Sequence, residues 1–552
     1  MANSTVLPPD VTREKFQDLI QEFQRCLGDL NVLFQDNDLL AYCDPFPIAT
    51  TESQSNLCSA VVLPSTVSDV QSVIALAKKY SVPLWTFSRG KNNGYGGPSC
   101  LVQGSILVDL SRMNKILEVN DKACYALVEP GVSFFDLFNY CKERNLNVYP
   151  SVPSLGWGSI VGNTLDRGWG YTPLGEHVTA QCGLEVVLAS GEVMRTGMGA
   201  VTGSTTWQCY KHGFGPSVDS LFFQSNFGIV TKLGIWVYPK QQGFMSCDIS
   251  VDCEDDLVPL VDRLGHLYRS EVLQNHPVIG NPIRAMAASG PRKNVYEGSG
   301  SIPEPVVDAW RKKNGKGYWN ARFALYGKQE MMQCRWKTIK AAFADLSGCK
   351  LTEQTYLADN PSGLLEADSV PVSESGGTQI GLPNMLRLQT VAFRGENGGH
   401  ISFSPVVPPD GKASLEFYLV GKKILANHGF DFHAGFHLYP HHMNHLNLIV
   451  FDNSSAEQRK AAHACFLELL ASAKKYGYSE YRTHVNFMDD VAHQFDFNNH
   501  IHRRFVERLK DTLDPDGILA PGKSGVWPSR YREAKQGSPK IQQNLPIPQA
   551  KL

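Results

Sequence analysis

The chain has no run of 18 or more apolar residues, so no membrane-spanning helix is expected from it. Its first residues, "MANSTVLPPD", lack the apolar core of a secretory leader. Neither sign of charge dominates: 52 Lys and Arg stand against 54 Asp and Glu, a formal net charge of -2. Nothing there favours nucleic acid or an anionic membrane as a partner. The 13 cysteines are odd in number and include no CxxC pair, which fits a reducing compartment and buried free thiols. No internal repeat is visible. What is present is ordinary for a soluble globular protein, with 42% hydrophobic and 19% charged residues. At 552 residues the chain is too long for one compact core, and two or three domains are expected.

Residues 12–28 read as a capped amphipathic helix, with Thr12 as N-cap, Phe16, Leu19, Ile20 and Phe23 on one face, and Gly28 at the end. A βαβ pattern follows: "SAVVLP", then "TVSDVQSVIALAKKY", then "VPLWTF". The last strand runs into "SRGKNNGYGG", residues 88–97. A glycine-rich loop after a parallel strand can point several backbone N–H groups at a phosphate; a plain glycine turn is the alternative. It is not the GxGxxG fingerprint, and no helix is expected after it, since "GSILVDLSRM" reads as another strand. A second glycine-rich segment, residues 152–175, lets backbone pack close to a flat ligand. "LEVVLASGEVMRTG" reads as a hairpin turning at Ser190-Gly191, and "GIVTKLGIWVYP" as a strand. From about 244 to 477 helical stretches, "PEPVVDAWRKKNG" and "EQRKAAHACFLELLASAKKYG", alternate with expected strands "SLEFYLV" and "HLNLIVF". "EYRTHVNFMDDVAHQF" reads as a helical pattern, closed by a Pro/Gly-rich loop with Lys523.

Two histidine sites stand out. In "GENGGHISFSP", His400 enters an alternating strand behind two glycines, where something large could approach. "HAGFHLYPHHMNH" holds His433, His437, His441, His442 and His445. Their spacing matches no zinc pattern and no Cys, Asp or Glu lies among them, so no metal is expected. Packed histidines, or a pocket role for His433 or His437, are the readings left.

Seven blocks, in order along the chain, together resemble the vanillyl-alcohol oxidase type of flavoprotein and its para-substituted phenol oxidases. They are "SRGKNNGYGG", "SIVGN" with "RGWGYTP", "TGMGA", "GFGPSVDSLFFQSNFGIVTKLGIW", "GGHISFSP", "SEYRTHVNFMD" and "DPDGILAPGKSGVWP". The resemblance implies an α+β, two-domain flavoprotein: a PCMH-type FAD-binding domain, split in sequence, with an inserted α/β cap domain. The expected boundaries are 1–243 for the first part of the FAD domain (its core about 54–240), 244–477 for the cap, 478–528 for the returning part, and 529–552 for a flexible tail ending in Ala-Lys-Leu. It implies FAD held by Thr86, Phe87, Ser88, Arg89, Gly90, Lys91 and Asn92 at the diphosphate. Pro153, Leu155, Ser159, Gly162, Asn163, Gly228, Ile229 and Lys523 complete the cofactor set, and His400 is the covalent flavin attachment point.

For activity the resemblance implies oxidation of para-substituted phenols through a quinone methide, with O2 reduced to hydrogen peroxide. A phenol has a pKa near 10, so about one molecule in a thousand is ionised at pH 7. Bringing that value to 7 takes roughly 4 kcal/mol. Hydrogen bonds to a charged group, worth about 1.5–3 kcal/mol each, are enough. The resemblance supplies Tyr95, Tyr481 and Arg482, with Tyr171 as a further pocket member; isolated Tyr and Arg residues are otherwise usually packing or surface groups. Tyr481 and Arg482 are adjacent, so a loop or helical start has to bring both to bear.

Two departures from the family pattern bear on the reaction. Ser154 stands where the best-known oxidases carry an aspartate beside the flavin, and Gly435 where the cresol-hydroxylating relatives carry a cap glutamate. Neither supplies a carboxylate base; His437 or His433 is the expected substitute. The alternatives are a cresol-hydroxylase-like dehydrogenase with another electron acceptor, an oxidase of sugars or alkaloids on the same fold, and a histidine-rich binding protein. The family's octamer-forming oxidase carries a long insertion between "TGMGA" and "GFGP"; with only a short segment there, the resemblance implies a homodimer. The ending Ala550-Lys551-Leu552 differs from S-K-L by one small residue. It points to a peroxisomal import receptor as partner, and to the peroxisome or cytoplasm as location.

Overall fold

The computed structural model describes residues 6–48, 56–360, 362–372 and 376–536. The terminal tripeptide lies outside the described residues. Among them, no helix is long and apolar enough to cross a membrane.

The first helix is Arg13–Leu27, with Thr12 accepting from the Lys15 N–H. Phe16, Leu19, Ile20 and Phe23 are buried against Val70, Val73, Ile74 and Ala77 of the helix Val67–Tyr80. Each such side chain contributes about 1.5–3 kcal/mol on full burial, which fixes the pair without strong local propensity. Beneath them lies a four-stranded sheet in the order Val32–Leu33, Ala60–Val62, Ile106–Asp109, Leu84–Phe87. The last three are parallel, and Ile106–Asp109 lies between the two strands of the βαβ unit. The strand Leu84–Phe87 therefore sits at one edge, and the glycine-rich loop leaves from its end.

A five-stranded antiparallel sheet comes next, in the order Ile116–Asn120, Tyr125–Val128, Gly228–Trp236, Gln181–Leu188, Val193–Arg195. The expected hairpin at Ser190-Gly191 joins its last two strands, with Val187 opposite Val193. The chain's end returns to these sheets. Leu84 N–H donates to Ile518 O at 2.7 Å. The buried Lys510 Nζ donates to Asn226 O, Asp514 Oδ2 and Leu519 O, at 2.6, 2.6 and 2.8 Å. An ammonium is tolerated there because a carboxylate and two carbonyls replace its water. This anchoring brings Lys523 beside the glycine-rich loop.

Residues 243–480 build a nine-stranded antiparallel sheet around the largest hydrophobic core. Its strands His433–Leu438, Met443–Asp452 and Gly398–Phe403 are adjacent, with His400 opposite Val450. Ile401 and Phe403 point into the core, so His400, on the alternate side, points away from it.

Two expectations fail here. "SLEFYLV" is not a strand but part of the helix Gly411–Asn427. Its buried residues, Ser414, Phe417, Tyr418, Gly421, Ile424 and Leu425, recur at helical spacing, and Asp410 caps it. Seven residues, five of them aromatic or branched, are too short a window to show that period. Likewise the helical pattern does not begin at Glu480. Ser479–Glu480 is a strand paired with Pro405 and Val406, tied by the Ser404 N–H donating to Glu480 Oε1 at 2.6 Å. Helical turns start only at Val485, which leaves Tyr481 and Arg482 in a bend.

Candidate active site

Two adjoining cavities share the strand-edge loop, and the second reaches the large sheet. The first, about 200 Å3, is lined by Thr86, Phe87, Ser88, Arg89, Gly90, Lys91, Asn92, Ser159, Gly162, Asn163, Gly228, Ile229 and Lys523. All thirteen are residues the sequence singled out for a cofactor. Arg89 also braces the loop: its Nε donates to Trp157 O at 3.1 Å and its Nη1 to Gly131 O at 2.8 Å. Asn92 Nδ2 donates to Asp166 Oδ2 at 3.0 Å, and Lys523 Nζ lies 3.5 Å from the same carboxylate. The cavity thus combines a glycine loop with the cations Lys91 and Lys523, a setting suited to a dinucleotide's phosphates.

The second cavity, about 240 Å3, contains Tyr95, Pro153, Ser154, Leu155, Tyr171, His400, His437, Tyr481 and Arg482. Every remaining predicted site residue is therefore in one place. The bend after Glu480 lets two adjacent residues share the cavity: the Arg482 guanidinium lies 4.0 Å from the Tyr95 ring centre and 5.6 Å from that of Tyr481. Gln224 Nε2 holds the bend by donating to Tyr481 O at 2.8 Å. Burial pushes the Tyr481 hydroxyl well above its ordinary pKa, with Tyr95 adding to the shift, so it stays protonated and able to donate. Burial alone would weaken the charge on Arg482, but Tyr481 and Tyr95 more than restore it. Trp169 stacks on Tyr481, centroids 4.6 Å apart.

His400 is buried where this cavity meets the loop. A Cβ on Gly94 would lie 2.6 Å from its Nε2, so glycine there is what admits the ring. Nδ1 has no hydrogen-bond partner among the described residues. Burial lowers the imidazole pKa to about 4, against a raising influence from Asp44, so the ring is neutral and nucleophilic at pH 7. A buried unpartnered nitrogen beside a cavity fits a bond to a group the chain does not itself supply. His484 Nε2 lies 2.7 Å from Asp44 Oδ2 close by.

The opposite wall differs in kind. Ser154 Oγ and Tyr171 Oη are 2.6 Å apart. His437 Nδ1 lies 3.1 Å from His276 Nε2, and Trp169 packs on His437 at 5.1 Å. Burial pushes His437 well below its usual range and His276 down to about 3; both are neutral. Arg284 and Arg387 also line this wall, and the Arg322 guanidinium lies 5.2 Å from the Tyr171 ring centre. Burial would raise the Tyr171 hydroxyl pKa; Arg322, Arg284 and Arg387 together hold it below its ordinary value.

Comparison with known proteins decides the family. Residues 58–197 match the FAD binding domain model, and residues 378–524 match the C-terminal domain of FAD linked oxidases. The chain is 38% identical over 527 residues to the 4-cresol dehydrogenase (hydroxylating) flavoprotein subunit of Pseudomonas putida, covering 95% of this chain and 98% of that one. It belongs to the vanillyl-alcohol oxidase family of FAD-dependent oxidoreductases. The 4-ethylphenol oxidase of Gulosibacter chungangensis, solved as an isoeugenol complex, superposes with a TM-score of 0.89 at 34% identity, covering 95% of this chain and 100% of that one. The 1'-carboxy-chondrochloren decarboxylase of Chondromyces crocatus is 27% identical over 541 residues, covering 92% and 97%.

At Gly435 a Cβ would lie 1.8 Å from Arg284 Nη1, so the guanidinium fills the space a side chain there would take. Of the two histidines considered as substitutes, only His437 lines the cavity; His433 packs edge-on against Phe393 at 5.0 Å. Among the described residues no group of three or more His, Cys, Asp or Glu is arranged to hold a metal. Sequence reading missed Trp169, Arg284 and Arg387. Trp169 lies inside the quoted "RGWGYTP" and could have been found as an aromatic flanked by glycines. Nothing local marks the two arginines.

Proposed function

We propose that the protein is an oxidase of para-substituted phenols, taking two electrons from the carbon attached para to the hydroxyl. The convergence of Tyr95, Tyr481 and Arg482 on one end of the second cavity carries this reading. One guanidinium and two tyrosine hydroxyls supply the roughly 4 kcal/mol that a phenol needs to ionise at neutral pH. A phenolate pushes electron density toward the para carbon and so weakens its C–H bond. When bound, FAD supplies the two-electron acceptor for that bond. Thr86 to Asn92, with Ser159, Gly162, Asn163, Gly228, Ile229 and Lys523, would hold the cofactor along the first cavity. Pro153 and Leu155 would line the cavity beside it, and His400, with its neutral and unpartnered Nδ1, would be its covalent attachment point.

The oxidised substrate is a quinone methide. Water adds to it, or a proton leaves the neighbouring carbon. Without a carboxylate at 154, the Ser154–Tyr171 hydroxyl pair and the neutral His437 are the groups that can relay that proton. In their names, the relatives span a dehydrogenase and an oxidase, so the acceptor is tested directly. Anaerobic mixing with 4-ethylphenol should bleach the flavin, and admitting air should restore it with one hydrogen peroxide per turnover. Bleaching without reoxidation by air would make the enzyme a dehydrogenase. No bleaching by any para-substituted phenol would refute the phenol reading. The reading includes a homodimer, checked by light scattering, and a tether checked by acid precipitation: flavin should stay with the wild type and leave His400→Ala.

A further inference from the structure

We propose that a third cavity, on the other side of the Tyr481-Arg482 bend, is a second phenol site, holding a neutral molecule of the substrate beside the one that is ionised. This deepens the phenol reading and rests on it. The third cavity measures about 590 Å3, more than twice the second. Tyr95, Tyr481 and Arg482 line both, so the groups that receive the reacting phenol form a shared wall. At its far side the cavity is lined by Phe495, 49% exposed, and by the exposed His502, and so reaches the surface.

The lining selects an uncharged, largely apolar ligand with one hydroxyl. Leu221, Phe223, Phe227, Met488, Val491 and Val506 supply apolar wall. The cations facing it are already answered. Lys523 Nζ lies 3.5 Å from Asp166 Oδ1, Arg503 Nε donates to Glu507 Oε1 at 3.0 Å, and Arg482 lies over the two tyrosine rings. Arg167 is exposed at the rim. Glu480 and Thr483, which flank the bend, line this cavity and not the second. They are 5 and 9% exposed, and Glu480 Oε2 and Thr483 Oγ1 have no hydrogen-bond partner among the described residues. Glu480 Oε1 is taken by the Ser404 N–H, and burial pushes the carboxyl well above its usual range, against the pull of that N–H and of Arg482. Glu480 is therefore an un-ionised acid with Oε2 left to bond a ligand. A phenol hydroxyl, one donor with two lone pairs, answers Glu480 and Thr483 together. About one phenol molecule in a thousand is ionised at pH 7, so the neutral form this chamber suits is the form that arrives from solution.

The test titrates 4-tert-butylphenol into the holoenzyme by calorimetry and follows the ultraviolet difference spectrum; with no hydrogen on its para carbon, this phenol binds without being oxidised. Wild type should take up two equivalents per flavin, the first with a phenolate band and the second without adding to that band. Val506→Phe, which fills the chamber, should leave one equivalent per flavin with the band intact. Thr483→Val keeps the shape of the wall and removes only the hydroxyl, which serves if the larger side chain prevents folding. It should weaken the second equivalent about 2- to 10-fold relative to the first, the size of one neutral hydrogen bond. A single equivalent in wild type would overturn the proposal, with the phenol reading intact. So would a second equivalent that both variants leave unaltered, since it would lie elsewhere, or one that adds to the phenolate band, since the chamber would then ionise its ligand. If no equivalent binds, the phenol reading itself falls, and this proposal with it.

Discussion

The two ends of the second cavity are built in opposite ways. The phenol end comes from two contiguous blocks, "SRGKNNGYGG" and "SEYRTHVNFMD", and its cation lies over two tyrosine rings. The far end is gathered from a glycine-rich segment, a cap helix, a 3-10 helix and a sheet strand, and its cations surround a serine–tyrosine pair. One end recognises what all para-substituted phenols share. The other is assembled from residues that sit on separate elements.

The comparison predicts graded effects. Arg482→Met should lower kcat/KM about 100-fold for every para-substituted phenol, acid or neutral, since it removes a charge-assisted hydrogen bond common to all; steady-state kinetics across a small panel checks this. A loss confined to a few members of the panel would mean that Arg482 serves the side chain and not the phenol. Gly435→Ala should destabilise the fold by about 1–3 kcal/mol, because the added carbon meets Arg284 Nη1 at 1.8 Å and the guanidinium has to move. Urea unfolding measures the cost, and an unchanged midpoint would mean that Arg284 is not held there.

Acid should weaken the far wall before the phenol end. Unfolded His276 takes up a proton below about pH 6.5, whereas the folded residue, at about 3, does not. Unfolding therefore takes up protons, and stability present above pH 6.5 is lost as pH falls from there toward 3, by at most about 1.4 kcal/mol per pH unit for this histidine. Denaturation midpoints from pH 7 to 5 should show the decline, and His276→Gln should flatten it by one proton's share. A slope that His276→Gln leaves unaltered would contradict the buried neutral ring. The smallest effect is expected from Tyr171→Phe. Loss of one hydroxyl partner to Ser154, worth about 0.5–1.5 kcal/mol, should slow product formation several-fold and change the ratio of hydroxylated to desaturated product.

What the sequence revealed follows the same division. Local blocks carried the loop at 88–97, the strand of His400 and the Tyr481-Arg482 pair, since short-range order fixes all three. The need for a bend at Tyr481 was also legible, from the adjacency of two residues with one destination. The start of the helix was not, because the pairing of Ser479–Glu480 with Pro405 and Val406 spans more than seventy residues and outweighs local helical preference. "SLEFYLV" misled for the complementary reason: its helical face only shows over the full Gly411–Asn427 span. Arg284 and Arg387 were invisible because a single arginine on a short helix reads as a surface residue until the sheet turns it inward. Gly435 was noted as a missing carboxylate; only the structure shows that a cation takes the room.

The central claim is that the enclosed site binds its substrate as a phenolate. The ultraviolet difference spectrum of the holoenzyme with 4-tert-butylphenol, which has no hydrogen on its para carbon, tests it at pH 7. The account predicts the red-shifted band of a bound phenolate, lost in Arg482→Met. A bound ligand with the spectrum of the neutral phenol would contradict it.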